Sequence, residues 1–219
     1  MKTILYTGLF CGGCEPYAYI DRWKIICLNN LLKYSEAIGA DFRVYGNENK
    51  PFWKFFDALE SFGYNGWLAA TMIKNYVIKE FIQTDYDMMI WSDLDIIVRE
   101  NNIVSGPNQF NINTDPYFSN EIERRIVFES SYGYRDKYHV LNSGFFSMDK
   151  DFALRYLEFI HYNDLEFYKR VKQIEIKEHF PSQEALMEIF LNNNIDRIRP
   201  LNNPFGFDHY VSHKKSEIR

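Results

Sequence analysis

The run Met88-Met89-Ile90-Trp91-Ser92-Asp93-Leu94-Asp95-Ile96-Ile97-Val98 constrains the fold of this chain more than any other stretch. A continuous apolar run of this length marks a strand covered on both faces, as in parallel sheets packed between helices. Asp93 and Asp95 interrupt it. Side chains at i and i+2 of an extended segment point to the same side, so the two carboxylates are expected to converge on one point. About 5 Å apart, they repel by about 3 kcal/mol at an effective dielectric near 20, and desolvation adds to that cost. A positive group must offset it. A hard divalent cation, Mn²⁺ or Mg²⁺, suits oxygen ligands and commonly shares its remaining positions between water and substrate phosphates. The plain alternative is a solvated pair of aspartates at a strand end.

The surrounding pattern alternates strand and helix. Residues 2–9 read as a buried strand, with a glycine-containing loop after it. Residues 20–37 carry Ile20, Trp23, Cys27, Leu28, Leu31 and Leu32 at helical spacing and stop at Gly39. Residues 42–45 read as a second strand. A long helix over 66–83, capped by Asn65, delivers the chain to the acidic run. Residues 99–120, rich in Asn, Pro and Ser, read as a loop. Strands are expected over 125–129, 138–148 and 195–198, and helices over 150–161 and 182–192. This order predicts a single α/β domain over residues 1–219, built on a mostly parallel central sheet flanked by helices. Ligands of such sheets bind at the carboxyl ends of the strands, where Asp93 and Asp95 sit.

Charge and cysteine usage exclude several classes. A formal net charge of -5 argues against a nucleic-acid partner, which would need a basic surface to compete for phosphates. No apolar run approaches the ~18 residues of a membrane span, so the chain is expected to be soluble. Three cysteines, an odd number, make no disulfide framework and predict a reducing, cytoplasmic setting. Cys11-Gly-Gly-Cys14 has the spacing of a thiol redox site, which is the rival reading. Incidental thiols in a Gly-rich turn are the plainer one. An aromatic content of 18% suits rings that stack on sugars, and equally an aromatic-rich core.

The strand running into Trp91-Ser92-Asp93-Leu94-Asp95 resembles the D-x-D region of nucleotide-sugar glycosyltransferases of the GT-A fold. Val140-Leu141-Asn142-Ser143-Gly144-Phe145-Phe146 is similar to the N-[SA]-G segment of their retaining, glycogenin- and galactosyltransferase-like group. Pro181-Ser182-Gln183-Glu184 is similar to that group's D-Q-D segment, with Ser182 in place of the first acid. His209 and Lys215 stand six apart, as do that group's third metal ligand and its diphosphate-binding lysine. Small glycosyltransferases of large DNA viruses of algae are similar in size, which extends the expected setting to an infected host cell.

The resemblance implies a GT-A domain that moves a sugar from a UDP-sugar to a carbohydrate acceptor. It implies that Asp93, Asp95 and His209 hold Mn²⁺ or Mg²⁺, with His213 as the rival of His209. It implies donor contacts from Thr7, Gly8, Lys74, Asp93, Asn142, Ser143, Gly144 and Lys215, and a reacting carbon near Gln183 and Glu184. Each residue has an ordinary alternative. Lys74 would be a solvated lysine, Asn142 a turn residue, Gln183 and Glu184 an exposed first helical turn, and His209 a surface histidine. A module that binds nucleotide sugars without turnover is the non-enzymatic alternative.

Overall fold

The computed structural model describes residues 1–8, 20–45, 57, 61, 66–94, 96–98, 104, 106–113, 140–160, 187, 190–191, 193–200 and 207–209. Strand Thr3–Gly8 (β1) leads to helix Ile20–Ile38 (α1), strand Asp41–Tyr45 (β2) and helix Gly66–Ile82 (α2). Then come strands Met88–Ser92 (β3), Ile96–Val98 (β4), Gln109–Asn113 (β5) and Val140–Asp149 (β6), and helix Lys150–Phe159 (α3). A single 3-10 turn at Ile195–Arg197 precedes two short strands, Arg199–Pro200 (β7) and Phe207–His209 (β8).

Six strands form the main sheet in the order β2-β1-β3-β6-β5-β7, and β4 pairs with β8 in a separate two-stranded sheet. The β1–β2, β1–β3 and β5–β7 pairings are parallel, whereas β6 runs antiparallel to both β3 and β5. The sheet is therefore mixed but mostly parallel, since within it β6 alone runs against the other five strands.

Alternation along the strands divides the core in two. Ile4, Tyr6, Met89, Trp91, Phe146 and Met148 face α2 and α3 in one buried cluster. Leu5, Met88, Ile90 and Phe145 belong to a second, with Cys27, Leu31 and Tyr34 of α1. Successive strand residues point to opposite faces, so an apolar run without alternation supplies both layers. α1 ends as the sequence indicates. Gly39 adopts φ +66°, Ala40 N–H donates to Ser35 O at 2.8 Å and Gly39 N–H to Glu36 O at 3.2 Å, which caps the last carbonyls.

Three expectations are corrected. Residues 88–98 are not one strand: β3 ends at Ser92, and Ile96 N–H donates to Asp93 O at 3.3 Å across a turn. The second half pairs elsewhere, because β8 takes one edge of β4 while Asn30 of α1 bonds Val98 through both amide atoms, at 2.8 and 3.0 Å. Residues 99–120 are not all loop, since β5 lies within them. Asn and Gln disfavour strands, but burial of Phe110, its ring 5.6 Å from those of both Phe146 and Phe152, outweighs that propensity. Residues 195–197 form a 3-10 turn, and the strand begins at Arg199. Its N–H donates to the carbonyl of Asn108 at 2.9 Å. The strand expected over 125–129 and the cap at Asn65 lie outside the described residues, as does most of the helix expected over 182–192. Within that helix Met187, Phe190 and Leu191 are helical and buried.

Asp149 joins three elements. Its Oδ1 caps α3 by accepting from Phe152 N–H at 2.8 Å, and its Oδ2 accepts from Asn108 Nδ2 at 2.9 Å. Its own N–H donates to Asn108 Oδ1 at 3.1 Å. Asp149→Ala removes both side-chain bonds and is expected to cost about 1–2 kcal/mol. A melting temperature lower by a few degrees checks this; an unchanged one contradicts it.

Candidate functional site at the carboxyl end of β3

Asp93 is the first residue beyond β3 and the start of the turn that carries the chain to β4. Its backbone N–H donates to Gly144 O at 2.6 Å, which extends the β3–β6 ladder by one bond. Because β6 is antiparallel and Ser92 pairs with Phe145, residues 142–144 run past the end of β3. The Asn142-Ser143-Gly144 backbone thus borders Asp93. Here the β5–β6 register shifts between Phe110 and Asn111, an irregularity of the kind that re-aims a strand beside a site.

On the other side β1 ends level with β3. Thr7 pairs with Ser92, and Gly8 is the last residue of β1. Thr7 is fully buried and its hydroxyl has no hydrogen-bond partner among the described residues.

The Asp93 carboxylate is held from below. Lys74 of α2 places Nζ 3.1 Å from Oδ1 and 3.2 Å from Oδ2, and Trp91 donates its indole N–H to Oδ1 at 2.7 Å. Lys74 is only 4% exposed, whereas the Asp93 side chain is 35% exposed. The ammonium also stands 5.8 Å from the Trp91 ring centre, within cation–π range. A solvated Lys74 is therefore corrected to a buried one. Taking an ammonium out of water is costly without a counter-charge, and Asp93 supplies it. The arrangement presents one half-exposed, pre-oriented carboxylate at the carboxyl ends of two parallel strands.

Sequence reasoning missed Trp91 as a polar partner. The signal was there, since the i, i+2 rule applied to Asp93 and Asp95 also places Trp91 on the side of Asp93. Tyr6 and Tyr45 lie on the same face of the sheet, but burial pushes the Tyr6 phenol up to about 12 and raises that of Tyr45 as well. Neither offers a charge to the site near neutral pH.

His209 is drawn toward this turn at the level of the backbone. β8 runs antiparallel to β4 with His209 opposite Ile96, one residue beyond Asp95. The segment 207–209, expected to lie past the last strand, is itself a strand. Asp95, Gln183, Glu184, Lys215, His213, Cys11 and Cys14 lie outside the described residues, as do the side chains of Asn142, Ser143 and His209. Among the described residues no group of three His, Cys, Asp or Glu side chains gathers. The carboxylate present, an oxygen donor half open to solvent, suits a hard cation in chemistry. No helix of the described residues is long and apolar enough to cross a membrane.

The sequence matches no protein-family model and no curated protein. Solved structures do resemble it. A glycosyltransferase involved in the glycosylation of the major capsid of PBCV-1 is 16% identical with a TM-score of 0.43, over 91% of this chain and 81% of that one. The galactosyltransferase LgtC in complex with donor and acceptor sugar analogs is 14% identical with a TM-score of 0.45, over 85% and 70%. Mouse xyloside xylosyltransferase 1 in its apo form is 10% identical with a TM-score of 0.51, over 92% of this chain and 85% of that one. At such identities the likeness is one of fold: this chain is a mixed α/β domain, a central sheet flanked by helices, with the fold of the mouse xylosyltransferase.

Proposed function

We propose that the chain is a metal-dependent glycosyltransferase that moves a sugar from a UDP-sugar to a hydroxyl of a carbohydrate acceptor, with retention at the anomeric carbon. The observation that carries this reading is the Asp93 carboxylate, fixed by Lys74 and Trp91 at the carboxyl end of β3 between the end of β1 and the Asn142-Ser143-Gly144 backbone. Crevices at that end of such sheets take nucleotides and their phosphates. The fold shared with a xylosyltransferase agrees with it.

In this reading the bond from the anomeric carbon to the diphosphate oxygen breaks and UDP leaves with the electron pair. A bond from that carbon to the acceptor oxygen forms on the face that the diphosphate leaves, and the proton of the acceptor hydroxyl passes to the departing diphosphate oxygen. Mn²⁺ or Mg²⁺, held by Asp93, Asp95 and His209, would neutralise charge on the leaving diphosphate. Thr7 and Gly8 would receive the nucleobase, Asn142, Ser143 and Gly144 the donor sugar, and Lys215 the diphosphate. Gln183 and Glu184 would border the reacting carbon. Lys74 has a part that is firmer in geometry, because its ammonium stands 3.1 and 3.2 Å from the two oxygens of Asp93 and restrains that carboxylate.

The test is release of nucleoside diphosphate from a panel of nucleotide sugars. Release from a UDP-sugar with Mn²⁺, abolished by a chelator, is the expected result. Binding of UDP without release from any donor would leave a non-catalytic module, and no binding at all would end the reading. His209→Ala against His213→Ala, each titrated with UDP and Mn²⁺, checks the metal assignment. The first variant is expected to lose at least about 10-fold in affinity and the second little; the reverse order would move the ligand to His213.

A further inference from the structure

We infer that the chain pairs with a second copy of itself along β2, in a two-fold antiparallel dimer that sets Asp41 of each copy opposite Arg43 of the other. Such pairing stands apart from the chemistry at β3. β2 is at the end of the strand order and carries no further strand among the described residues. An uncovered strand edge is a template for another chain. Alternation puts Asp41, Arg43 and Tyr45 on the α2 side of the sheet, where Tyr45 is buried, and Phe42 on the α1 side, where it is partly buried. Asp41 and Arg43 are both exposed. Tyr86 donates its hydroxyl to Asp41 Oδ2 at 2.6 Å, and the Arg43 guanidinium stands 5.0 Å from the Tyr45 ring centre, so both charges are held on the α2 side. Charges on an edge ordinarily deter pairing. Here their order makes the edge self-complementary. Residues opposite one another in an antiparallel pair share a face, so a pairing centred on Phe42 brings Asp41 against Arg43 twice and keeps both α1 helices on one side of the joined sheet. Centring on Arg43 or on Asp41 would set like charges against each other, which fixes the register.

α1 supplies apolar surface beside that edge. It packs against both β4 and β2. The flank that carries Asn30 is turned to β4, since the Asn30 amide bonds Val98 at 2.8 and 3.0 Å. At 3.6 residues per turn, Ile25, Leu28 and Leu32 lie roughly 140–160° around the helix from Asn30, which turns them toward β2. Leu28 and Phe42 are both partly buried against the same cluster, and further out Ile25 is 58% and Leu32 42% exposed. Joining two sheets at β2 brings the two α1 flanks together across the two-fold and takes these side chains out of water. A strand edge of five residues buries too little for a stable dimer by itself. The backbone bonds and charge pairs therefore set the register, while the helix flanks supply the apolar area.

The experiment is sedimentation equilibrium of the full chain from about 1 to about 100 μM, a range in which the parent is expected to pass from monomer to dimer. Asp41→Arg and Arg43→Asp each replace two attractive pairs by two repulsive ones, and each is expected to weaken dimerisation by about 10-fold or more. The double variant Asp41→Arg with Arg43→Asp restores opposite charges in the same register and should return the dimer to within about 3-fold of the parent. Leu32→Glu, on the exposed helix flank, should weaken the dimer with the strand charges intact, and it tests the same interface should a strand variant fail to fold by circular dichroism. A parent chain that stays monomeric to the top of the range overturns the inference. So does a dimer that neither single reversal nor Leu32→Glu weakens, or one that the folded double variant fails to restore, since the contact would then lie elsewhere.

Discussion

Asp93→Asn is expected to lower Mn²⁺-dependent UDP affinity by about 100-fold or more, because it removes the charge of the carboxylate held at the carboxyl end of β3. The amide keeps the shape and can still accept the Trp91 indole N–H. It cannot balance the ammonium of Lys74, which is 4% exposed. Losing the Asp93 charge weakens the pairing of a buried ammonium, so stability should fall as well, by about 1–3 kcal/mol. The double variant Asp93→Asn with Lys74→Met separates the two effects. It removes the ammonium as well, with a side chain of similar length, and should recover most of the lost melting temperature while UDP affinity stays low. Recovery of binding in the double variant would show that Asp93 serves stability alone. An unchanged affinity in the single variant would remove Asp93 from the site.

Phe146→Ala is expected to cost about 3–5 kcal/mol, the largest stability effect of any substitution considered. Phe146 is fully buried on the α2 side of β6 and stacks on Phe110 with ring centroids 5.6 Å apart and planes 13° apart. Phe110 in turn lies against Phe152, whose ring is 5.0 Å from Phe190. Truncation opens a cavity where the sheet, α3 and the helical residues near 190 meet, and rigid rings fill such a gap poorly. For a chain of this length the loss corresponds to a melting temperature lower by about 10 °C. A shift of less than about 3 °C would mean that the rings repack.

The acidic run itself shows how far local pattern reaches. Met88 to Trp91 could be assigned to a buried strand from sequence because four apolar residues without alternation must be covered on both faces, and they are. The same reasoning put Asp93 and Asp95 at the carboxyl end of that strand, which holds for Asp93, but it read residues 96–98 as part of the same run, and there it failed. What ends β3 at Ser92 is the availability of other partners for residues 96–98, namely Phe207–His209 on one edge and the Asn30 amide on the other. Both are distant in sequence, and neither leaves a mark within residues 88–98. β5 was missed for a related reason. Its polar composition reads as loop, and only Phe110 between two other rings makes it a strand.

Sequence by itself determined the strand–helix alternation of the first half, the helix stop at Gly39, the two-layer core and the position of Asp93 at the end of a buried strand. These follow from periodicity, capping and burial, which act over a few residues. Tertiary structure alone decided that Lys74 is buried rather than solvated, that the Trp91 indole faces the Asp93 carboxylate, and that the Gly144 carbonyl receives the Asp93 N–H. It also decided that Phe207–His209 is a strand beside the acidic turn. Each of these depends on which segments meet across the sheet. A lysine on a helix carries the same local signal whether its ammonium meets water or a carboxylate brought up by another strand.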